Sequence, residues 1–249
     1  MLAQYAPAPL RLPFVAYLIC VAAVAAPVAL TRETIARPRP VREGVSLVPK
    51  LGVPRSVLPA FVAPAVSVFI TMALVGFYAA LSPTLIQQVM RVTNLASGAT
   101  VSSVMFLVTA VAIVATRNLG DRQAMLGGLA LMGPSVALLV AAQATRSMPL
   151  MLGGAAVTGV AAALGYRGSL QVVNRIAPPA RRAEAVSTYY LCGFIGNALP
   201  VIGVGVITMT AGALTASAAF AALIALLAIA ALVAGLKAPD RDQSLARST

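Results

Sequence analysis

The sequence predicts an all-α fold, a polytopic membrane bundle of about seven transmembrane helices, on three observations. First, 60% of the 249 residues are hydrophobic and only 10% are charged, where soluble domains run about 45–50% apolar and about 25% charged. Second, mean hydropathy is +0.93, and the apolar residues gather into runs close to the ~20 residues that cross ~30 Å of hydrocarbon. Third, the basic residues gather in the connectors between those runs. A soluble globule, a disordered tail and a collagen-like fibre are excluded. The net charge of +12 comes from 18 Lys+Arg against 6 Asp+Glu. Its confinement to connectors points to a membrane surface as partner, and not to nucleic acid.

The spans follow in order as Leu12–Leu30, Leu58–Leu81, Ala99–Thr116, Ala124–Ala142, Leu150–Gln171, Ala185–Met209 and Leu214–Leu236. None alternates as a barrel strand does, so each is read as a helix. Pro13, Pro27, Pro64, Pro134 and Pro200 start or kink helices, which a bundle tolerates. The first run is too long for a signal-peptide core, and its positive cluster follows it, as a stop-transfer flank does. Four units result: a lone helix over 1–30, a basic cytoplasmic linker over 31–57, a six-helix bundle over 58–236 and a tail over 237–249. The linker carries ARPRPVREG and VPKLGVP, a density of Pro, Arg and Gly that builds no core. Glycines crowd the fourth, fifth and sixth spans, where small residues let helix backbones approach closely.

Charge fixes the expected orientation. Arg32, Arg37, Arg39, Arg42, Lys50 and Arg55 lie in the linker, and Arg117 and Arg122 between the third and fourth spans. Arg175, Arg181 and Arg182 lie between the fifth and sixth, and Lys237, Arg241 and Arg247 in the tail. Only Arg11, Arg91 and Arg146 fall on the other side. The positive-inside rule then puts the N-terminus outside and the C-terminus in the cytoplasm, and a plasma (inner) membrane is the expected location.

Several chemistries are closed by composition. The chain has no His and no Trp, and its two cysteines, Cys20 and Cys192, lie inside apolar runs. No metal site, no cofactor and no Ser–His or Cys–His nucleophile pair is expected, and the chain is not expected to be an enzyme. Asp121, Asp240 and Asp242 all fall outside the spans, which removes an intramembrane aspartyl protease. A retinal protein needs a membrane lysine, and Lys50 and Lys237 lie in a loop and at a helix end.

The polar residues inside spans are the candidate site. Ser67, Thr71 and Tyr78 in the second span and Thr158 in the fifth are candidates for a substrate cavity, or for helix packing. Tyr190 and Asn197 in the sixth share one helix face with Ser187 nearby, and face either a neighbour or a wet space. Arg167 is the one charge within a span. It sits about 26 Å along its helix, near the cytoplasmic boundary, where it either snorkels or serves a gate or substrate. Asp121 and Arg122 occupy a short turn, where the plain reading is a solvated topology signal. Gln87 and Gln88 are expected in an external loop.

Three stretches carry a family resemblance. Thr31-Arg32-Glu33-Thr34-Ile35-Ala36-Arg37-Pro38 closes the lone helix. Asn118-Leu119-Gly120-Asp121-Arg122 resembles part of a G-x-L-x-D-R-x-G-R loop, with Arg117 at its first Gly and Ala124-Met125 at its closing Gly-Arg. Gly165-Tyr166-Arg167-Gly168-Ser169-Leu170-Gln171 is followed by Arg181-Arg182-Ala183-Glu184. With the one-plus-six topology, these resemble the C-terminal portion of a major facilitator superfamily transporter: the last helix of the first half plus the six-helix second half. The resemblance implies secondary transport of a small-molecule substrate by alternating access. It also implies about five further helices upstream, and an N-terminal transporter half, from the same gene or another chain, as partner. Asp121 and Arg122 would then be gating-loop residues. The alternatives are a non-functional truncated membrane protein and a seven-helix receptor-like protein.

Overall fold

The computed structural model describes residues 11–31, 51–88 and 95–237. Residues 32–38 and Arg91, and the tail beyond Lys237, lie outside them, as do Lys50 and most of the linker. Among the described residues there is no strand. The helices are α1 (Leu12–Leu30), α2 (Leu58–Gln88), α3 (Leu95–Ala115), α4 (Asp121–Ala144), α5 (Met148–Ile176), α6 (Arg182–Ala211) and α7 (Ala213–Lys237), with one 3-10 turn at Pro179–Arg181.

Five stretches are long and apolar enough to cross a membrane: Leu58–Leu81, Asp121–Ala144, Met148–Ile176, Pro179–Ala211 and Ala213–Lys237. Phe14–Leu30 and Ala99–Ala115 are apolar but shorter. The chain is therefore all-helical with five membrane-length spans among the described residues, against the seven expected. The helices also overrun the apolar runs that predict them. A backbone hydrogen-bond ladder needs no apolar side chain, so α2 continues through Gln87 and Gln88, which lie in its last turn and not in a loop. In the same way α5 continues past Gln171 to Ile176.

The chain divides into two compact units, residues 1–49 and 50–249. In the first, α1 is apolar on every side, with Phe14, Tyr17, Leu18, Val24 and Val28 all exposed.

In the second unit α2 and α5 form the centre. Helix α5 packs on α2, α3, α4 and α6, and α2 packs on α3, α5, α6 and α7; α7 also packs on α4 and α6. Local sequence sets the ends. Ser147 caps α5 by accepting from the Leu150 amide, with Pro149 in the first turn. Asp121 opens α4 at the positive end of its dipole. Gly212, at φ 85°, turns the chain from α6 into α7.

Threonines inside the helices satisfy themselves. Thr71, Thr109, Thr158 and Thr208 each donate to the carbonyl four residues back, at 2.7–2.8 Å, as hydroxyls must where water is absent. Two glycines set the closest helix approaches. A Cβ on Gly168 would collide with the Met125 amide of α4, and one on Gly196 with the Phe69 backbone of α2.

Candidate functional site

The candidate side chains fall into three places, not one. The first is a seam between α2 and α5. The Ser67 hydroxyl donates to the Gly165 carbonyl at 3.4 Å, and Thr71 donates to the Ser67 carbonyl. One side of that contact is glycine, so the α2 hydroxyls reach the α5 backbone: a Cβ there would lie 2.9 Å from the Thr71 hydroxyl. Further along, the Tyr78 hydroxyl lies against the Thr158 side chain. Ser67, Thr71, Tyr78 and Thr158 are all shut away, none more than 1% exposed. Their polar atoms meet helix backbone and one another, so this arrangement locks α2 to α5.

The second place is the flank of α6. Ala185, Tyr189, Gly193, Gly196, Pro200 and Val204 form its buried stripe, and α6 makes its main interhelical contact there, with α2. Leu191, Ile195, Ile202, Val206 and Met209 form an exposed apolar stripe, up to 89% exposed at Met209. Between the two stripes runs a mixed flank, Ser187, Tyr190 and Asn197 interleaved with the exposed Phe194, set by the 3.6-residue helical repeat. Tyr190 is 37% exposed, and its hydroxyl pairs with that of Tyr166 on α5. The Asn197 amide oxygen lies close against Gly76 on α2 while the residue as a whole stays exposed.

Behind this flank, the Tyr189 hydroxyl shares a hydrogen bond of 2.7 Å with Ser169 and donates to the Tyr166 carbonyl at 3.3 Å. The Tyr189 ring contacts Tyr166 and, edge to face, Tyr190. Tyr166 and Ser169 were not among the sequence candidates. Their spacing, three apart on one helix and polar in an apolar run, is the signal that marks them.

The third place is the charged end of the bundle, where α4 and α6 begin and α5 and α7 end. Arg175 pairs with Asp121 at 2.7 Å. Arg167 donates to the Leu119 carbonyl at 2.9 Å in the turn before α4, while its Nε is buried without a partner among the described residues. Arg122 donates to the carbonyls of Gly235 and Leu236, the negative end of α7. Arg181 pairs with Glu184, and the Gly52 amide donates to Thr188, fastening the end of the linker to α6. Asp121, Arg122 and Arg167 thus meet one turn together. Arg167 holds that turn. The partner of Asp121, Arg175, is 54 residues away and carries no local signature.

Among the described residues no three His, Cys, Asp or Glu side chains group as a metal site. Cys192 is half-buried on α6 and unpaired.

No protein-family profile, characterised protein or solved structure matches the chain.

Proposed function

We propose that this chain is the C-terminal part of a secondary transporter of the major facilitator type, moving a small neutral or amphipathic solute by alternating access. On this reading α1 to α7 are seven spans in a plasma (inner) membrane, with the N-terminus outside and the charged end cytoplasmic. The other wall of the substrate path is an N-terminal half, from the same gene or a separate chain. The alternating placement of Arg, the six-helix unit behind a basic linker, and the turn around Asp121 and Arg122 support it.

The observation that carries it is the mixed flank of α6. In a bilayer, a helix face that meets lipid is apolar and one that meets a neighbour is covered. The edge of α6 that carries Ser187, Tyr190 and Asn197, interleaved with the exposed Phe194, leaves three polar residues exposed beside a stripe that is plainly apolar. A wet path between two halves accounts for that pattern, with Tyr190 and Asn197 touching solute and Arg167, Asp121 and Arg175 holding the closed end. Ser67, Thr71, Tyr78 and Thr158 then hold the α2–α5 wall without touching solute.

Cysteine accessibility tests the assignment. In membranes holding the full chain with Cys20→Ser and Cys192→Ser, the variants Tyr190→Cys and Asn197→Cys should react with a charged, impermeant thiol reagent. Their rates should exceed those of Ile202→Cys and Val206→Cys by about tenfold or more, because exposure to water governs thiol reaction. Equal and low rates at all four positions would place the flank in lipid and remove the reading. Separately, the chain purified and reconstituted as a monomer should show no saturable flux, since half a path moves nothing; saturable uptake would refute a half-transporter.

A further inference from the structure

Helix α6 is interrupted where it is pinned. Pro200 lies inside it. A proline has no N–H, so the Gly196 carbonyl loses its ladder donor, and the ring crowds that same carbonyl. Gly196 is also the residue whose Cβ would collide with the Phe69 backbone of α2. The weakest point of the ladder therefore sits on a fulcrum.

The two sides of this point are held differently. Toward the charged end, Thr188 accepts from the Gly52 amide at 3.0 Å and Tyr189 shares its 2.7 Å hydrogen bond with Ser169. A Cβ on Gly193 would stand 3.1 Å from Val68. Beyond Pro200, the Thr208 and Thr210 hydroxyls donate to carbonyls of their own helix. Added Cβ atoms at Gly203 and Gly205 would meet nothing within 4 Å. The buried stripe ends at Val204, and Met209, Thr210 and Ala211 are exposed. Val201 lies over Gly76, which has no side chain to catch it. Val204 and Ile207 rest on the apolar core by dispersion alone. Gly212, at φ 85°, then supplies a second joint. Past it, α7 is anchored by Phe220, stacked on Phe77 of α2 with ring centroids 4.6 Å apart. The segment 200–211 thus lies between two joints, with a separately anchored body on either side.

We propose that residues 200–211 are a lid that swings on the Gly196–Pro200 joint at the end of the bundle away from the charged cluster. Few buried apolar contacts mark the parts of a protein that open first. A kink change of about 20° over a rise of 1.5 Å per residue moves Val206 by about 3 Å and Met209 by about 5 Å. No hydrogen bond need break, since the one the ladder lacks is already missing. The swing is a property of the helix and independent of transport; on the proposed function it gates the path at the end opposite the ion pairs.

The test is double electron–electron resonance on the full chain in lipid nanodiscs, with Cys20→Ser and Cys192→Ser. One nitroxide sits at Ala137→Cys, exposed on α4. The other sits in turn at Leu191→Cys, Val206→Cys and Met209→Cys, all exposed on α6. Distances from 206 and 209 should spread about 3 Å and about 5 Å more widely than those from 191, because displacement grows with distance from the joint. Pro200→Ala restores the missing N–H and should bring all three to one width. Equal widths in the unaltered helix overturn the proposal. So does an excess at 209 with none at 206, which is fraying of the last turn, or an excess that Pro200→Ala leaves in place. Should Pro200→Ala not fold, the graded excess at 206 and 209 decides. The chain is measured alone, so the result stands whatever the thiol rates at Tyr190→Cys and Asn197→Cys.

Discussion

Gly196→Ala should loosen the α2–α6 contact, and its cost can be worked from geometry. The new Cβ would lie 2.8 Å from both the carbonyl carbon and the Cα of Phe69 and against its carbonyl oxygen, where ordinary contact begins near 3.4 Å. These are backbone atoms of a buried helix, so no side chain can swing aside. Helix α6 must back away by roughly half an ångström or more, and a gap of 0.5–1 Å forfeits about a quarter to a half of each dispersion contact it opens. Gly193, beside Val68 and Met72, shares that stripe and would be lifted with it. Overpacking of this kind costs about 1–3 kcal/mol. At about 2–4 °C of Tm per kcal/mol for a chain of this size, that is a fall of roughly 2–12 °C. The control is on the same helix. A Cβ added at Gly203 or Gly205 would meet nothing within 4 Å, so Gly203→Ala should gain about 0.5–1 kcal/mol from lower backbone entropy alone. Thermal unfolding in one detergent compares the three proteins. Shifts of the same sign at 196 and 203 would refute the argument that close backbone approach, and not helix propensity, governs α6.

Three further outcomes follow from the hydrogen bonds. Tyr189→Phe removes the hydroxyl shared with Ser169 and should lower stability by about 0.5–1.5 kcal/mol in an unfolding titration; no change would mean Ser169 is satisfied by its bond to the Tyr166 carbonyl alone. Arg122→Met takes two donors from the end of α7 and should cost about 0.3–2 kcal/mol, with faster amide exchange confined to the last turns of that helix; exchange unchanged there would show the cap to be idle. Asp121→Asn should cost at most about 1 kcal/mol, because its partner Arg175 is 61% exposed and such pairs are screened. If the turn gates a path, flux through the assembled transporter should fall far more than Tm does; parallel small losses would make the pair a surface bond.

The spans were legible in their middles and not at their ends. A run such as Val66–Leu81 can only be buried in lipid or protein, so hydropathy finds it. The end of α5 carries Asn174 and Arg175, which belong to the same ladder but sit where water is available, so hydropathy stops at Gln171. The candidate site divides in the same way. Length along a helix suggested that Arg167 lies near the end of its span, but α5 runs nine residues further, to Ile176, and Arg167 meets Leu119 in the turn before α4. The burial of Ser67, Thr71, Tyr78 and Thr158 was not legible, because it depends on which helix lies opposite. Gly154 and Gly165 decide that by letting α2 come close, and the sequence shows those glycines without showing what they face. The pairing of Asp121 with Arg175 joins the start of α4 to the end of α5, a contact that exists only after the two helices pack.

The difference between the seam and the charged end bears on how such a unit could work. Alternating access is largely rocking of one helix bundle against another about a fixed site, so each bundle must be stiffer than its contacts with the other. The α4–α5 and α2–α6 contacts meet that need. Their glycines bring backbone against backbone at 128, 168 and 196, where displacement loses many dispersion contacts together and no rotamer change relieves it. The charged end is built from the opposite material. Arg175–Asp121 and Arg181–Glu184 are half-exposed ion pairs, each able to exchange its partner for water at small cost. The mixed flank of α6 lies between these regimes, anchored behind by Tyr189 and open in front at Tyr190 and Asn197. On the proposed function, a stiff body with exchangeable bonds at one end can rock as a unit and break only the bonds at its rim. A bundle with ion pairs through its middle and glycines at its rim would have to deform instead.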